Sequence, residues 1–340
     1  MGILKDALFK NWNHYTAELP YNLNWLIKLG TEEKQFLESH NILICDIGAR
    51  GSAPVELTPF FPYMDYLGFD ADKTECDRLN SSPHPYRKFS LLPYFIGGDS
   101  SEIFFNLYKD RSHSSVYQPG PRYQKMFGGN WFAVDEKVKI KSTTIDEIYS
   151  KKSEYPDLIK LDTQGTELDI LTASKAVLAK TCLVEVEVEF VEMYKGQPMF
   201  HDIAKFMYDQ GFELLYLNRV FQQRCEISHE PAKGQIIFAD GLFARKEDCC
   251  LGIEIDRLVK YAMMLINYGH IDIAHHLTLL YPEIVEILPS ISRYFKPKNY
   301  GLNMIKKLVV NQLDKFIMLL LHLRKYNRQF IDSDRSWPIR

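Results

Sequence analysis

Short apolar runs alternate with amphipathic stretches along the middle of the chain, from about residue 41 to residue 245. Short apolar runs predict buried strands, and apolar positions that recur every three or four residues predict helices. The predicted strands are 42–45, 66–69, 91–96, 103–107, 138–142, 158–162, 182–190, 212–217, 235–238 and 242–244. The last two flank a predicted turn at Asp240-Gly241, and 200–210 is a predicted amphipathic helix. This alternation favours a doubly wound α/β sheet.

The pattern differs on either side of this region. Residues 1–40 have the spacing of helices, and after residue 247 apolar positions again recur at helical spacing. We therefore predict a helical N-terminal extension (1–40), a central domain (41–247) and a C-terminal helical region (248–340). Residues 110–131 are polar and rich in Gly, Ser and aromatic residues, as is typical of a functional or mobile loop.

Composition and charge narrow the class of protein. The 340 residues are 46% hydrophobic and 25% charged, which suits a globular protein with a sizeable core. A net charge of −3 argues against a nucleic-acid partner. The six cysteines lack metal-ligand spacing, and no run of about 18 apolar residues predicts a transmembrane segment. No apolar leader opens the chain, so we expect a reduced, cytoplasmic, soluble protein.

A glycine-containing turn follows the first strand of the central domain. Its sequence is Asp46-Ile47-Gly48-Ala49-Arg50-Gly51, and Asp70 lies 22 residues after Gly48, at the end of the next strand. A carboxylate at that place accepts hydrogen bonds from ribose hydroxyls in nucleotide-binding sheets. The dinucleotide fingerprint is not met, because Arg50 stands where its second glycine would be. A nucleoside without phosphates, such as S-adenosylmethionine, fits better; a tight turn without a ligand is the alternative.

Charged residues also end a strand further along the chain. Lys160 and Asp162 lie two residues apart, and hence on the same face, at the carboxyl end of the apolar run 158–162. Open α/β sheets bind ligands at such ends. Buried charges cost free energy unless they are paired or used, so a structural ion pair and a functional site are both open interpretations.

Together these segments resemble the FkbM family of S-adenosylmethionine-dependent methyltransferases over roughly residues 41–245. The similar stretches are Asp46–Gly51, Ser114-Ser115, Ile159–Glu167, Glu185–Phe190, Tyr194–Pro198, Gly211-Phe212 and Ala239–Phe243. The resemblance implies a Rossmann-like class I methyltransferase fold, with a seven-stranded, mostly parallel sheet whose last strand is antiparallel. It implies O-methylation of sugars in polysaccharides and glycolipids, or of natural-product hydroxyls. Asp70 stands where the family often has Glu, and either carboxylate can hold a ribose.

The resemblance also suggests roles for individual residues. The cofactor is expected to contact Asp46, Gly48, Ala49, Arg50, Gly51, Asp70, Ser115 and Asp162. Methyl transfer to a hydroxyl needs alignment and a base or a metal that takes or weakens the proton. Asp162 is the first candidate for the base, and Lys160 is expected to hold it ionised or to contact the acceptor. His113, in the loop, is the backup base; an exposed histidine without a role is the alternative.

A row of glutamates is the remaining candidate for the site. Glu185, Glu187 and Glu189 share one face of their predicted strand, where they repel one another unless solvated or bound to a cation. Together with Asp162, Glu187 and Glu189 could hold Mg²⁺ through carboxylate oxygens. Glu187, Glu189, Tyr194 and Gln197 are the predicted contacts to the acceptor.

Three interpretations of the predicted helix 305–325 stay open, because five Lys and Arg residues accompany its apolar face. It packs on its own domain, joins two copies in a homo-oligomer, or contacts a membrane surface near a lipid-linked glycan.

Two other function classes also stay open. They are a nucleoside-binding module without catalysis and an NAD-dependent oxidoreductase, against which the missing second glycine speaks.

Overall fold

The structure is a computed structural model of the chain, and it describes residues 15–16, 28–49, 53–127, 132–225 and 234–295. Strands within these ranges form two sheets. In chain order they are β1 (Tyr15–Thr16), β2 (Ile42–Ile47), β3 (Met64–Phe69), β4 (Lys88–Leu92), β5 (Phe95–Ile96), β6 (Glu102–Tyr108), β7 (Val134–Thr143), β8 (Leu158–Leu161), β9 (Leu183–Glu189), β10 (Phe212–Gln222) and β11 (Gln235–Arg245). The predicted helix 305–325 lies outside the described residues.

The main sheet has the strand order β1-β10-β11-β9-β8-β2-β3-β4. Strands β4, β3, β2, β8 and β9 pair in parallel, whereas β11 is antiparallel to both of its neighbours, β9 and β10. Apart from the two-residue β1, this is a seven-stranded, mostly parallel sheet with an antiparallel last strand. The predicted fold class is confirmed.

The predicted turn at Asp240-Gly241 is wrong. Both residues lie inside β11, where Asp240 pairs with Asn218 and Gly241 with Leu217. A Cβ on Gly241 would lie 3.1 Å from the ring of Phe243. The glycine thus makes room for side chains that cover the strand, and it does not reverse the chain.

A smaller sheet, β5-β7-β6, follows β4 in the chain. The predicted strand 91–96 is divided between the two sheets, because its first part is the end of β4 and its last two residues are β5. β7 pairs in parallel with β5 and antiparallel with β6. The small sheet therefore stands beside the carboxyl ends of the main strands, where the candidate site lies.

Helices cover both faces of the main sheet, as a doubly wound fold requires. The helices are Thr31–Ser39, Lys73–Asn80, Pro121–Phe127, Ile145–Tyr149, Glu167–Thr172, Lys175–Leu178, Phe200–Asp209, Ile255–Asn267, Ile271–Leu280 and Glu283–Ile287, with 3-10 helices at Val55–Tyr63, Arg111–His113, Glu247–Cys249 and Pro289–Tyr294. Ile44 and Leu158 face a core shared with Leu258, whereas Ile159 and Val184 face a second core. Among the described helices, none combines the length and apolarity needed to cross a membrane.

The segment 110–131 is more ordered than a plain loop. It contains the 3-10 helix Arg111–His113 and the helix Pro121–Phe127, and residues 128–131 lie outside the described ranges. Two of its aromatic residues, Tyr123 and Phe127, pack in a third cluster with Tyr108 at the end of β6, Phe132, and Tyr194 after β9. Burial of these rings, which its polar composition conceals, folds the segment onto the sheet.

The helix Ile255–Asn267 is fixed to the sheet by a buried carboxylate, Asp157, just before β8. Asp157 Oδ2 accepts hydrogen bonds from the backbone N–H of Leu43 at 2.8 Å and from Lys260 Nζ at 2.7 Å. Its Oδ1 lies 3.3 Å from the guanidinium of Arg257. The described C-terminal helices thus share the core and the charges of the sheet; the division of the chain at residue 247 stays a prediction.

Removing this carboxylate should be costly. Asp157 is 1% exposed, and without it Lys260 would stay buried with no counter-charge. We expect Asp157→Ala to lower the free energy of unfolding by about 3 kcal/mol, measured by urea denaturation. Asp209→Ala, which breaks an exposed pair with Lys205 on a helix surface, is the control and should have little effect. Equal effects would contradict the account.

Candidate active site

The carboxyl ends of β2, β3 and β8 open into one cavity of about 490 Å³. Gly48, Asp70 and Asp162 all line it, so the three positions singled out from the sequence meet at one place. The small sheet supplies an apolar wall made of Phe95, Ile96, Phe105, Leu107, Val138 and Ile140. The volume lies in the range of small-ligand pockets.

Gly48 is required by the close approach of two backbone segments. Its φ of +80° is in the left-handed region, and a Cβ at this position would lie 1.9 Å from the carbonyl oxygen of Asp162. The N–H groups of Gly48 and Ala49 both donate to the carbonyl of Phe69, which ties the turn to β3. Ala49 is fully buried and does not line the cavity, so its predicted cofactor contact is not supported. Arg50 and Gly51 lie outside the described residues.

Asp70 has its carboxylate oriented by the chain that follows it. Its Oδ1 accepts a hydrogen bond of 2.7 Å from the N–H of Asp72. The side chain of Asp72 in turn accepts from the N–H groups of Thr74 and Glu75, and so caps the helix Lys73–Asn80. The tip of β3 therefore presents a held carboxylate to the cavity.

Asp46 and Lys160 form a buried ion pair beneath the cavity. Lys160 Nζ lies 3.7 Å from Asp46 Oδ1, and the hydroxyl of Tyr66 donates to Asp46 Oδ2. Burial raises the pKa of Asp46, although Lys160 and Tyr66 oppose the rise. Asp46 is fully buried and does not line the cavity, so the structure shows a pairing with Lys160, and the predicted cofactor contact stays a prediction.

Lys160 is also close to further acids. Burial by itself would lower its pKa, but the charges of Asp46 and Asp162, and then of Glu185 and Asp240, outweigh burial and raise the pKa above its usual value. A permanent cation thus lies among these acids. Its role in holding Asp162 ionised stays a prediction.

The turn after β8 is held from within by Glu167. One carboxylate oxygen accepts from the N–H and the hydroxyl of Thr163, and the other accepts from the N–H of Gly165. Burial raises the pKa of Glu167 to about 7, against these hydrogen bonds. Its place is structural, at the start of the helix Glu167–Thr172.

The predicted Mg²⁺ ligands are arranged around an amide. Gln164 Nε2 lies 2.9 Å from Asp162 Oδ1 and 3.0 Å from Glu187 Oε2, in the space between the two carboxylates. Burial, and then the charge of Asp162, raises the pKa of Glu187 well above its usual value. Within the described ranges, no group of three or more His, Cys, Asp or Glu side chains is placed to hold a metal ion. Asp162, Glu187 and Glu189, as they are placed, do not fit Mg²⁺.

Two loop residues with predicted roles, His113 and Ser115, lie outside the cavity lining, and their roles stay predictions. His113 does not line the cavity; its ring packs edge-on against Phe132, with centroids 5.3 Å apart. Ser115 is fully buried, and its hydroxyl donates to the carbonyl of Gln164 at 2.7 Å. The cavity is lined instead by their neighbours Arg111, Ser112 and Ser114. The sequence predicted a functional or mobile loop here, but it did not show which side chains of a short 3-10 helix line a cavity.

The predicted acceptor contacts after β9 are buried as well. Tyr194 is 0% and Gln197 5% exposed. The hydroxyl of Tyr194 lies 2.8 Å from both the carbonyl oxygen of His113 and Gln164 Oε1, and Gln197 Oε1 accepts from the N–H of Tyr194. Glu189 is 1% exposed. Tyr194 thus contacts the turn that carries Gln164, and its ring packs edge-on against Phe132 in the aromatic cluster.

Part of the chain is similar to known proteins. Residues 64–214 match the methyltransferase FkbM domain. The 2-O-methyltransferase NoeI of Sinorhizobium fredii (strain NBRC 101917 / NGR234) is 23% identical over 208 residues, which are 53% of this chain and 81% of that protein.

Two solved structures show weaker similarity. The methyltransferase FkbM of Methylobacillus flagellatus KT aligns with a TM-score of 0.34 and 10% identity, over 65% of this chain and 46% of that chain. The magnesium protoporphyrin IX methyltransferase ChlM of Synechocystis PCC 6803, with bound SAM, aligns with a TM-score of 0.30 and 9% identity, over 64% and 86%. The match thus spans less than half of the Methylobacillus protein.

The contact between Gly48 and Asp162 can be tested with a matched glycine. Gly196 also has a positive φ, of +76°, but a Cβ there would meet nothing within 4 Å. Gly196→Ala should therefore cost only backbone strain, roughly 1 kcal/mol, whereas Gly48→Ala must also displace the Asp162 carbonyl and should cost about 3 kcal/mol. Urea denaturation measures both losses. Equal losses would show that the close approach does not matter.

The buried acids make stability depend on pH, and Glu185 allows a test. Burial, and then the charge of Asp240, raises its pKa to about 8. The folded state then binds this proton more tightly than the unfolded state, so stability is lost as pH rises from about 4.5 to 8. Glu185→Gln has no proton to lose, and its melting temperature relative to the wild type should rise between pH 5 and pH 8.5. For Glu102→Gln, an exposed control, the difference should stay flat; a flat difference for Glu185→Gln would refute the assignment.

Proposed function

We propose that this chain, whose residues 64–214 match the methyltransferase FkbM domain, is a methyltransferase that transfers a methyl group from S-adenosylmethionine to a hydroxyl oxygen. The proposed acceptor is a sugar of a polysaccharide or glycolipid. A relative named as a 2-O-methyltransferase supports transfer to oxygen. The sugar rests on the family resemblance.

One observation carries the proposal: Asp70 and Asp162 line the same cavity, with Gly48 between their strands. A module that only binds a nucleoside needs the carboxylate at β3 but has no use for a second one at the end of β8. Two carboxylates opening into one space suit a ligand with a ribose at one end and a positive charge at the other.

The residues that line the cavity fit S-adenosylmethionine as the methyl donor. Asp70 would accept hydrogen bonds from the ribose hydroxyls, and the apolar wall formed by Phe105, Leu107 and Val138 suits a purine base. When bound, S-adenosylmethionine supplies an electrophilic methyl group on a cationic sulfur. A cation of this kind is favoured by the surplus of acids at the site.

The chemical work left to the protein is alignment and removal of a proton. In our proposal Asp162 accepts the proton of the acceptor hydroxyl as its oxygen takes up the methyl group. Lys160, 3.7 Å from Asp46, favours the ionised base.

Several finer assignments stay predictions. They are a cytoplasmic location, peripheral membrane contact, homo-oligomers and the domain limits at residues 40 and 247. The alternatives to the proposed function are methylation of a natural-product or lipid hydroxyl and a nucleoside-binding module without catalysis. The predicted Mg²⁺ has no support from the part of the chain that the structure describes.

Removal of the Asp70 carboxylate and removal of the Asp162 carboxylate should have different effects. We expect Asp70→Ala to weaken binding of S-adenosylmethionine at least tenfold in calorimetry, because the loss of hydrogen bonds to a carboxylate costs about 1.5 kcal/mol or more. Asp162→Ala should keep binding within a fewfold but abolish methylation. In cells lacking the gene, it should not restore the methyl increment seen by mass spectrometry of glycans.

Asp209→Ala, on a distant helix surface, is the control and should behave as the wild type. Identical losses of binding and methylation in both cavity variants would remove the division of roles. Thermal stabilisation by NAD, without any by S-adenosylmethionine or S-adenosylhomocysteine, would contradict the proposed function.

A further inference from the structure

Gln164 has an unusual backbone. Among the described residues it is the only one other than glycine with a positive φ, of 59°. A side chain in this region costs roughly 1 kcal/mol or more, and such strain persists only where the surroundings impose it. Here the buried hydroxyl of Ser115 donates to the Gln164 carbonyl at 2.7 Å, and the hydroxyl of Tyr194 lies 2.8 Å from Oε1.

The strained backbone places the amide between two acids. The two N–H groups of Nε2 reach Asp162 Oδ1 at 2.9 Å and Glu187 Oε2 at 3.0 Å, so each carboxylate has one donor. Gln164 and Asp162 both line the cavity. Any residue could offer a backbone carbonyl to Ser115, but only a primary amide at this distance serves both acids and Tyr194.

We propose that Gln164 is a positioning residue whose amide takes the place of a bridging cation between Asp162 and Glu187 and keeps Asp162 ionised and directed into the cavity. The inference rests on the proposed function, because it concerns the base of that reaction. Burial and the charge of Asp162 raise the pKa of Glu187, so Glu187 is the acid that takes up a proton. Without the N–H of Gln164 on Asp162, the two carboxylates would share that proton and the charge on Asp162 would fall.

The charge on Asp162 can be read without knowing the acceptor. S-adenosylmethionine carries a sulfonium charge and S-adenosylhomocysteine does not, so the ratio of their dissociation constants reports negative charge near the sulfur. Glu185, with a pKa of about 8, and Asp240, with a pKa of about 6, also titrate between pH 6 and pH 9, so each variant is compared with the wild type at the same pH. In Gln164→Leu, which keeps the size but not the amide, the preference for S-adenosylmethionine should fall about threefold below that of the wild type at pH 6 and approach it toward pH 9.

Two further variants sharpen the test. Gln164→Asn retains an amide on a shorter side chain and tolerates a positive φ, so it should restore part of the preference at pH 6. If Gln164→Leu does not fold, Tyr194→Phe removes the hydroxyl beside Oε1 and should shift the ratio in the same direction by a smaller factor. A ratio equal to that of the wild type at every pH, in whichever of these variants folds, overturns the inference.

A second experiment tests the role of Gln164 without S-adenosylmethionine or S-adenosylhomocysteine. Gln164→Glu puts a third carboxylate where the amide was, and MgCl₂ should then raise its melting temperature while leaving the wild type unchanged. Stabilisation of the wild type by Mg²⁺, or none of Gln164→Glu, would count against the inference. If the wild type binds neither S-adenosylmethionine nor S-adenosylhomocysteine, the proposed function fails, and this experiment alone decides the role of Gln164.

Discussion

The end of β8 lies so close to the turn after β2 that no side chain fits between them. The N–H of Asp162 donates to the carbonyl of Ile47 at 3.0 Å, and the space beside its own carbonyl is taken by Gly48, which has no Cβ. Because these backbones touch, the turn, Asp162 and the tip of β3 are brought to one cavity. The position of the proposed base is thus set by main-chain contacts and not by its side chain.

Charge is distributed unevenly around this contact. Lys160 faces Asp46, Asp162, Glu185 and Asp240, and burial raises the pKa of Glu185 to about 8 and that of Asp240 to about 6. Holding so many acids together reduces stability at neutral pH. The arrangement suits a cationic ligand, and the ion pair Asp157–Lys260 on the far side of the same strands helps to offset that loss of stability.

Much of the fold could be predicted from the sequence, because periodicity reports which positions are buried. The strands and the approach of Asp70 to Asp162 follow from apolar runs that end in charged residues, whereas the antiparallel last strand followed from the family resemblance. The roles of these two carboxylates stay predictions. The predicted turn at Gly241 is wrong because the sequence does not distinguish a glycine that makes room for neighbouring side chains from a glycine in a turn.

Positions within loops could not be predicted in the same way. Whether His113 or Ser114 faces a cavity depends on a single turn of 3-10 helix, and whether Tyr194 is accessible depends on an aromatic cluster assembled from distant segments. The apolar wall that β6 and β7 supply to the cavity could not be predicted either. Alternation of apolar and polar residues shows which face of a strand is covered, but not whether a cavity or a core covers it. Gln164 had no signal beyond its place next to Gly165.

A crystal structure with S-adenosylhomocysteine bound tests the central claim most directly. The account predicts the ribose hydroxyls within hydrogen-bonding distance of Asp70 and the sulfur at the Asp162 side of the same cavity. A nucleoside bound elsewhere, or with its sulfur directed away from the end of β8, would contradict it.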